Sequence, residues 1–154
     1  LQAIAMPDDV TIRGLEPADR AAWEPLFRGY IEFYEASVAD DVIEETWARL
    51  LSSGPEFHFG LGAVDGNGRL VGIAHILFHR STWSKSCYCY LEDLFVDPTV
   101  RTRGIGRKLI EAVYVEADRR GATRTYWATQ EFNYRARALY DQVATKSPFI
   151  QYRR

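Results

Sequence analysis

Residues 94–109 read LFVDPTVRTRGIGRKL, and their order is the strongest constraint in the chain. An apolar run ends at Val96, Asp97-Pro98 breaks it, and two glycines one residue apart open an amphipathic pattern. The chain must therefore pass from strand to tight turn to helix, with Arg101, Arg103, Arg107 and Lys108 crowded around Gly104 and Gly106. A helix start leaves backbone N–H groups unpaired and carries partial positive charge. Glycines let a ligand approach those groups closely, so the natural guest is a phosphate or pyrophosphate. The dinucleotide fingerprint fails, because Leu109 stands where its third glycine belongs. The phosphate loop of ATPases fails on spacing and on its missing Lys-Ser/Thr pair. Arg/Gln-x-x-Gly-x-Gly/Ala remains, met by Arg101, Gly104 and Gly106. On the glycines alone, a bare helix start with solvated arginines explains the stretch equally well.

The 154 residues suit one domain with a self-sufficient core, and 47% apolar composition indicates a globular chain. Met6 is a candidate native start, with Leu1 to Ala5 then foreign to the natural chain. A net charge of −2 argues against general nucleic-acid binding. No apolar run reaches membrane-spanning length and no signal peptide is evident, so we expect no membrane partner and a reducing, cytoplasmic setting. Cys87 and Cys89 fit neither a disulfide scaffold nor zinc spacing, and His58, His75 and His79 do not cluster, so no metal is expected.

Periodicity predicts a short strand at Val10–Arg13 and a helix after Asp19 bearing Trp23, Leu26, Phe27, Tyr30, Ile31 and Tyr34. Pro25 lies in that helix's first turn or kinks it. A second helix spans Asp40–Leu51, stopped near Gly54-Pro55. Strands Phe57–Val64 and Leu70–Phe78 flank Asp65-Gly66-Asn67-Gly68-Arg69, a strong hairpin signal. Cys87–Val96 is a strand with Tyr88, Tyr90, Glu92, Leu94 and Val96 on one face and Cys87, Cys89, Leu91, Asp93 and Phe95 on the other. A helix follows over Gly104–Arg119, capped by Gly121, then strand Thr123–Ala128, helix Asn133–Val143 and strand Phe149–Tyr152. This order implies an α/β (α+β) layered domain with one right-handed parallel crossover.

Arg-x-x-Gly-x-Gly directly after LFVDP, followed by Asn133 and Tyr140, resembles the GCN5-related N-acetyltransferase (GNAT) superfamily over roughly Val10 to Tyr152. YLEDLFVD resembles the spermidine/spermine acetyltransferases. RKLIEAVYVEADRRGATRTYWATQEFNYRARALY resembles still more the yeast histone and polyamine acetyltransferase subfamily. The resemblance implies a mixed, mostly antiparallel sheet of about six to seven strands, splayed between the fourth and fifth, with about four flanking helices. It implies acetyl-CoA as cosubstrate: pyrophosphate on the backbone of Arg103, Gly104, Ile105, Gly106, Arg107 and Lys108 beside Arg101, and pantetheine on the strand edge Leu94, Phe95, Val96. Asn133 and Ala136 fall on the cofactor side, and the thioester sits in the splay. The resemblance further implies a homodimer, with the C-terminal strand contributing. Val143-Ala144-Thr145 departs from the glycine and aromatic that many relatives carry there, which leaves the acceptor-side wall open.

Acetyl transfer needs a neutral amine, a stabilised carbonyl oxygen and a protonated leaving thiol. A lysine-like amine, with a pKa of about 10.4, is mostly charged at neutral pH, so a base is useful. Glu92 is the favoured base, with Asp93 close behind. In a regular strand the two face opposite ways, and pairing of either with an arginine is the plain alternative. Leu94 matches the usual N–H donor to the carbonyl. Tyr140 matches the family's general acid, although Ala136, Leu139, Tyr140 and Val143 at helical spacing also read as core.

From Gly29 to Ala48 the chain carries Glu32, Glu35, Asp40, Asp41, Glu44 and Glu45 without Lys or Arg, interleaved with Tyr30, Phe33, Tyr34 and Trp47. In the family this segment walls the acceptor site, making Tyr30, Tyr34 and Glu35 candidates for binding a small cationic amine. Solvated helix faces over core aromatics are the alternative. Two rival functions stand beside direct acetyl transfer to a small amine in a ternary complex: a protein or histone-tail acetyltransferase, and an acyl-CoA sensor without turnover.

Overall fold

A computed structural model describes residues 9–52, 58–100 and 104–154. Five strands form one sheet in the order β1-β2-β3-β4-β5: β1 Thr11–Gly14, β2 His58–Val64, β3 Leu70–His79, β4 Cys87–Val96 and β5 Ala122–Tyr126. The first four pair antiparallel, and β5 lies parallel to β4 across a crossover helix. Four α-helices flank the sheet: α1 Arg20–Phe33, α2 Asp40–Leu50, α3 Ile105–Arg119 and α4 Tyr134–Val143. A single 3-10 turn, Pro17–Asp19, leads into α1.

Local chemistry explains most boundaries. In the β2–β3 hairpin the Asp65 carboxylate accepts from the N–H groups of Asn67 and Arg69, and Gly68 takes φ 79°. Gly121 closes α3 at φ 74°, a left-handed conformation costly for other residues. Asn133 caps α4 by accepting from the Ala136 N–H at 3.4 Å. Asp19, expected as a plain cap, instead binds the Arg13 guanidinium at 2.7 and 3.0 Å and the Glu16 N–H at 2.7 Å. Pro25 sits inside α1, beyond its first turn.

Two apolar clusters cover opposite faces of the sheet. α3 buries Ile105, Leu109, Ile110, Val113 and Ala117 against Val71, Ala74, Ile76, Cys89 and Leu91. α1 and α2 bury Trp23, Leu26, Phe27, Ile43, Trp47 and Leu50 against Leu70 and Ile73. Trp47 therefore packs on Trp23, ring centroids 4.7 Å apart, and is core. Among the described residues no helix is long and apolar enough to cross a membrane.

Three expectations are corrected. The sheet has five strands among the described residues, below the six to seven expected. Phe149–Tyr152 forms no strand: Phe149, Ile150 and Tyr152 are 88%, 77% and 90% exposed, and no strand of the same chain takes them up. Third, β4 does not alternate regularly. His75 pairs with Asp93 while Ile76 pairs with Leu91, so Glu92 is an extra residue in a β-bulge. Beyond it the phase reverses: Leu94 and Val96 join Cys87, Cys89 and Leu91 on the α3 side, and Phe95 packs toward α1. Gly54-Pro55, Phe57, Arg101 and Arg103 lie outside the described residues.

Candidate active site

β5 follows β4 only as far as the pair Tyr90–Tyr126. Past that point Leu91–Val96 bonds to β3 alone, and its other edge opens on a gap. The bulge lies at the mouth of this gap. It overturns the expectation that Glu92 and Asp93 face opposite ways, because the inserted residue brings Asp93 onto the α1 face, against His75 at 2.8 Å. Glu92, in electrostatic reach of Asp93, stays exposed. The surrounding protein and then the Asp93 charge push its carboxyl up from the ordinary range. Neither carboxylate forms an ion pair with an arginine among the described residues.

α1 forms one wall. Its Tyr30 hydroxyl reaches the Glu92 carbonyl at 3.4 Å, and burial followed by the Asp93 charge pushes that phenol well up. The Tyr34 ring meets Tyr30 edge-on at 5.0 Å. Gly29 permits this close approach, since a Cβ there would stand 3.2 Å from the Phe95 ring. Glu35 instead lines a shallow hollow between α1 and α2 with Arg28, Ile31 and Glu32.

Half of the acidic wall read from residues 29–48 is paired: Arg28 binds Asp40 at 3.0 Å, Arg20 binds Glu44 at 3.0 Å, and Arg49 binds Glu45 at 3.2 Å. All three arginines fall outside that stretch. Within the gap itself the negative charge is that of Glu92 and Asp93.

α4 supplies the opposite wall. Tyr140 packs edge-on against Trp127 at 5.4 Å, and burial, then Tyr34, pushes its phenol up to about 12. Full proton transfer to a thiolate of pKa about 8.5 would then be uphill by about 5 kcal/mol. Tyr140 is thus suited to donate a hydrogen bond while keeping its proton.

Gly104 precedes α3 at φ 82°, and among the described residues no atom lies within 4 Å of where a Cβ would stand. The first helical bond runs from the Lys108 N–H to the Gly104 carbonyl, leaving the N–H groups of Ile105, Gly106 and Arg107 without a carbonyl inside the helix. Gly106 packs on α4, its Cβ position 3.3 Å from Leu139, and Arg107 bonds the Gln142 side chain. The Lys108 ammonium reaches the Val10 carbonyl at 3.3 Å, and the Ile105 side chain is core. Both therefore belong to the helix start through their backbone alone.

Sequence reasoning missed two groups. Tyr88, Tyr90, Tyr126 and His79 form an aromatic floor on the α1 side of the sheet, with Tyr90 and Tyr126 centroids 4.7 Å apart and His79 Nε2 2.6 Å from the Tyr126 hydroxyl. Glu92 lies close enough to influence both Tyr90 and Tyr126. The alternation of Tyr88 and Tyr90 was the available signal. The second group is Trp23 and His75, buried behind Asp93. A lone histidine within LVGIAHILFH was its only trace.

The Acetyltransferase (GNAT) family matches residues 22–144. The chain is 35% identical over 147 residues to D-amino-acid N-acetyltransferase HPA3 of Saccharomyces cerevisiae, covering 96% of this chain and 91% of the relative. It is 39% identical over 77 residues to thialysine N-epsilon-acetyltransferase of Bos taurus, covering 50% of this chain and 45% of that protein. The fold superposes on aminoglycoside N-acetyltransferase AAC(6')-Iy in complex with CoA with a TM-score of 0.79, at 19% identity, over 95% of this chain and 94% of that one.

Proposed function

This chain belongs to the GNAT family of acetyltransferases, and from that premise we propose that it moves an acetyl group from acetyl-CoA to the amine of a small molecule, directly, within one ternary complex. One observation carries the reading: β4 parts from β5 at the bulge, so that an open backbone edge and two carboxylates meet at one gap.

The α3 N-terminus suits a diphosphate, since the N–H groups of Ile105, Gly106 and Arg107 have no carbonyl partner inside the helix and Gly104, just before them, carries no side chain. The open edge Leu94–Val96 would take the pantetheine amides as a strand partner, with the Leu94 N–H toward the acetyl carbonyl. Asn133 and Ala136 serve this side through the cap they form. Arg101 and Arg103 would add charge to the same turn. Glu92, its carboxyl pushed up, is the base that takes the ammonium proton, with the Asp93 carboxylate beside it. Tyr30, Tyr90 and Tyr126 offer ring faces to the cation. As the N–C bond forms and the C–S bond breaks, the second amine proton leaves to solvent; Tyr140 steadies the departing sulfur by hydrogen bond, and solvent returns one proton to the thiolate.

The charge of the site supports the acceptor class: an amine beside two carboxylates and tyrosine walls, on a small body. D-amino acids head the panel because of the likeness to HPA3. The test follows thiol release from acetyl-CoA across D- and L-amino acids, polyamines, aminoglycosides and histone-tail peptides. Release with free small amines is expected. Turnover of peptides alone would make it a protein acetyltransferase, and tight acetyl-CoA binding without release from any amine would make it a sensor. The exposed Phe149, Ile150 and Tyr152 further support a homodimer built through the C-terminal segment. Sedimentation of a chain ending at Lys146 is expected to give a monomer where the full chain gives a dimer.

A further inference from the structure

Behind the gap runs a line of three buried polar groups. The Trp23 indole Nε1–H lies 2.9 Å from His75 Nε2, and His75 Nδ1 lies 2.8 Å from Asp93 Oδ2. Trp23 is 0% and His75 1% exposed, while the Asp93 side chain is 16% exposed. An indole N–H can only donate. His75 Nε2 must therefore accept, the ring is neutral, and its one hydrogen sits on Nδ1, where it donates to the carboxylate. The rings of Phe27 and Trp23, at 5.1 and 5.9 Å, hold the imidazole in its plane.

Stability alone gives no reason for this line. It crosses the apolar cluster that holds Ile73 and Phe27, where a hydrophobic residue would pack without any need for partners. Its outer end emerges at the reaction gap. The pair His75–Asp93 is also the last in register before the extra residue Glu92. The bond thus pins the residue that follows the bulge, and with it the direction of both carboxylates.

We propose that His75 is a positioning residue for acetyl transfer: locked in its Nδ1–H tautomer by Trp23, it holds the Asp93 side chain turned toward the acceptor amine. The inference rests on the reading of this gap as the transfer centre. The titratable groups in electrostatic reach of Asp93 are Tyr30 from α1, His58 from β2, His75 from β3, and Tyr90 and Glu92 from β4. Removing the donor leaves the Asp93 carboxylate free to turn onto Glu92, whose carboxyl burial and then the Asp93 charge already push up. The acid limb of acceptor kcat/KM then moves upward.

The first measurement is independent of turnover. Long-range 1H–15N correlation spectra of the wild-type imidazoles, from pH 6 to 8, are expected to show His75 as the Nδ1–H tautomer throughout. An Nε2–H tautomer or an imidazolium in that range would overturn the lock even if acetyl transfer is robust. Conversely, a chain that acetylates no amine but keeps the tautomer retains the lock and loses the proposed function. The second measurement compares variants. His75→Leu is expected to lower acceptor kcat/KM at pH 7 about tenfold, raise the acid limb by about one pH unit, and leave acetyl-CoA KM within about twofold. His75→Asn places an amide N–H where Nδ1–H stood and is expected to return the limb to within a few tenths of a unit. A wild-type limb in His75→Leu, or equal impairment of His75→Asn and His75→Leu at matched melting temperature, refutes the role. Should His75→Leu fail to fold, Trp23→Phe carries the comparison. It removes the donor that obliges Nε2 to accept while Asp93 still faces Nδ1–H, so a ring carrying hydrogen on both nitrogens within that pH range and a weakened acceptor kcat/KM are expected; a bare Nε2 throughout with unchanged kinetics refutes Trp23 as the cause of the lock.

Discussion

The two halves of β4 obey different rules. Tyr88, Cys89 and Tyr90 are paired with β3 on one side and β5 on the other, and they alternate as an interior strand should. Leu91 to Val96 pairs with β3 alone, carries an extra residue, and exposes a backbone edge. In the first half both edges are satisfied, so the strand can only pack. In the second half unsatisfied backbone and two carboxylates stand side by side, so the strand can bind and react. A departure of one residue from regular pairing separates a structural segment from a chemical one.

The sharpest way to break this comparison is to delete Glu92. The register on either side then joins without a slip, His75 still facing Asp93 and Ile76 still facing Leu91. The deletion variant is expected to fold with a melting temperature within a few degrees of wild type and to lose about 10²–10³-fold in kcat/KM, as scored by calorimetry and thiol release. Glu92→Gln keeps the bulge and removes only the base. A similar loss is expected, together with loss of the acid limb. The sign is fixed: the base works when ionised, its carboxyl is pushed up, and wild-type activity therefore falls as pH drops through that raised value.

Tyr140→Phe tests the far wall. A roughly tenfold fall in kcat is expected with acetyl-CoA KM little changed. Because burial pushes this phenol up to about 12, wild type is expected to show no basic limb from Tyr140 up to about pH 10. A limb near pH 8 that vanishes in the Phe variant would assign Tyr140 full proton transfer instead.

The smallest effect belongs to the doubly paired half. Cys89 is 0% exposed and its thiol is pushed up to about 12, chiefly by burial. Cys89→Ala is expected to cost about 1 kcal/mol, a melting shift of about 2–4 °C, with kcat/KM unchanged. Native Cys89 should resist alkylation at pH 8 while unfolded chain reacts. A catalytic loss in Cys89→Ala would erase the contrast between the halves.

Much of the fold was legible because its signals are local. The hairpin at Asp65–Arg69, the left-handed Gly104 and Gly121, the Asn133 cap and the apolar stripe of α3 each act within a turn or two of chain. The same holds for the helix start at Ile105, whereas the roles proposed for Glu92, Asp93 and Tyr140 stand on the assays above. The acidic stretch read as more charged than it is, because Arg20, Arg28 and Arg49 lie outside it yet fold back onto three of its carboxylates. Phe149–Tyr152 misled because apolar content does not by itself make a strand: pairing does, and this segment stays exposed although the sheet has free edges.

By itself the sequence determined the kinds and order of the elements, since caps, glycines and periodicity act between near neighbours. Tertiary structure alone decided which way Asp93 faces and what holds it there. A bulge is a property of two strands in register, and the bonds from Trp23 to His75 and from His75 to Asp93 span 52 and 18 positions. Groups that far apart are brought together only when the sheet closes and α1 packs on it, so no window of sequence could show their contact.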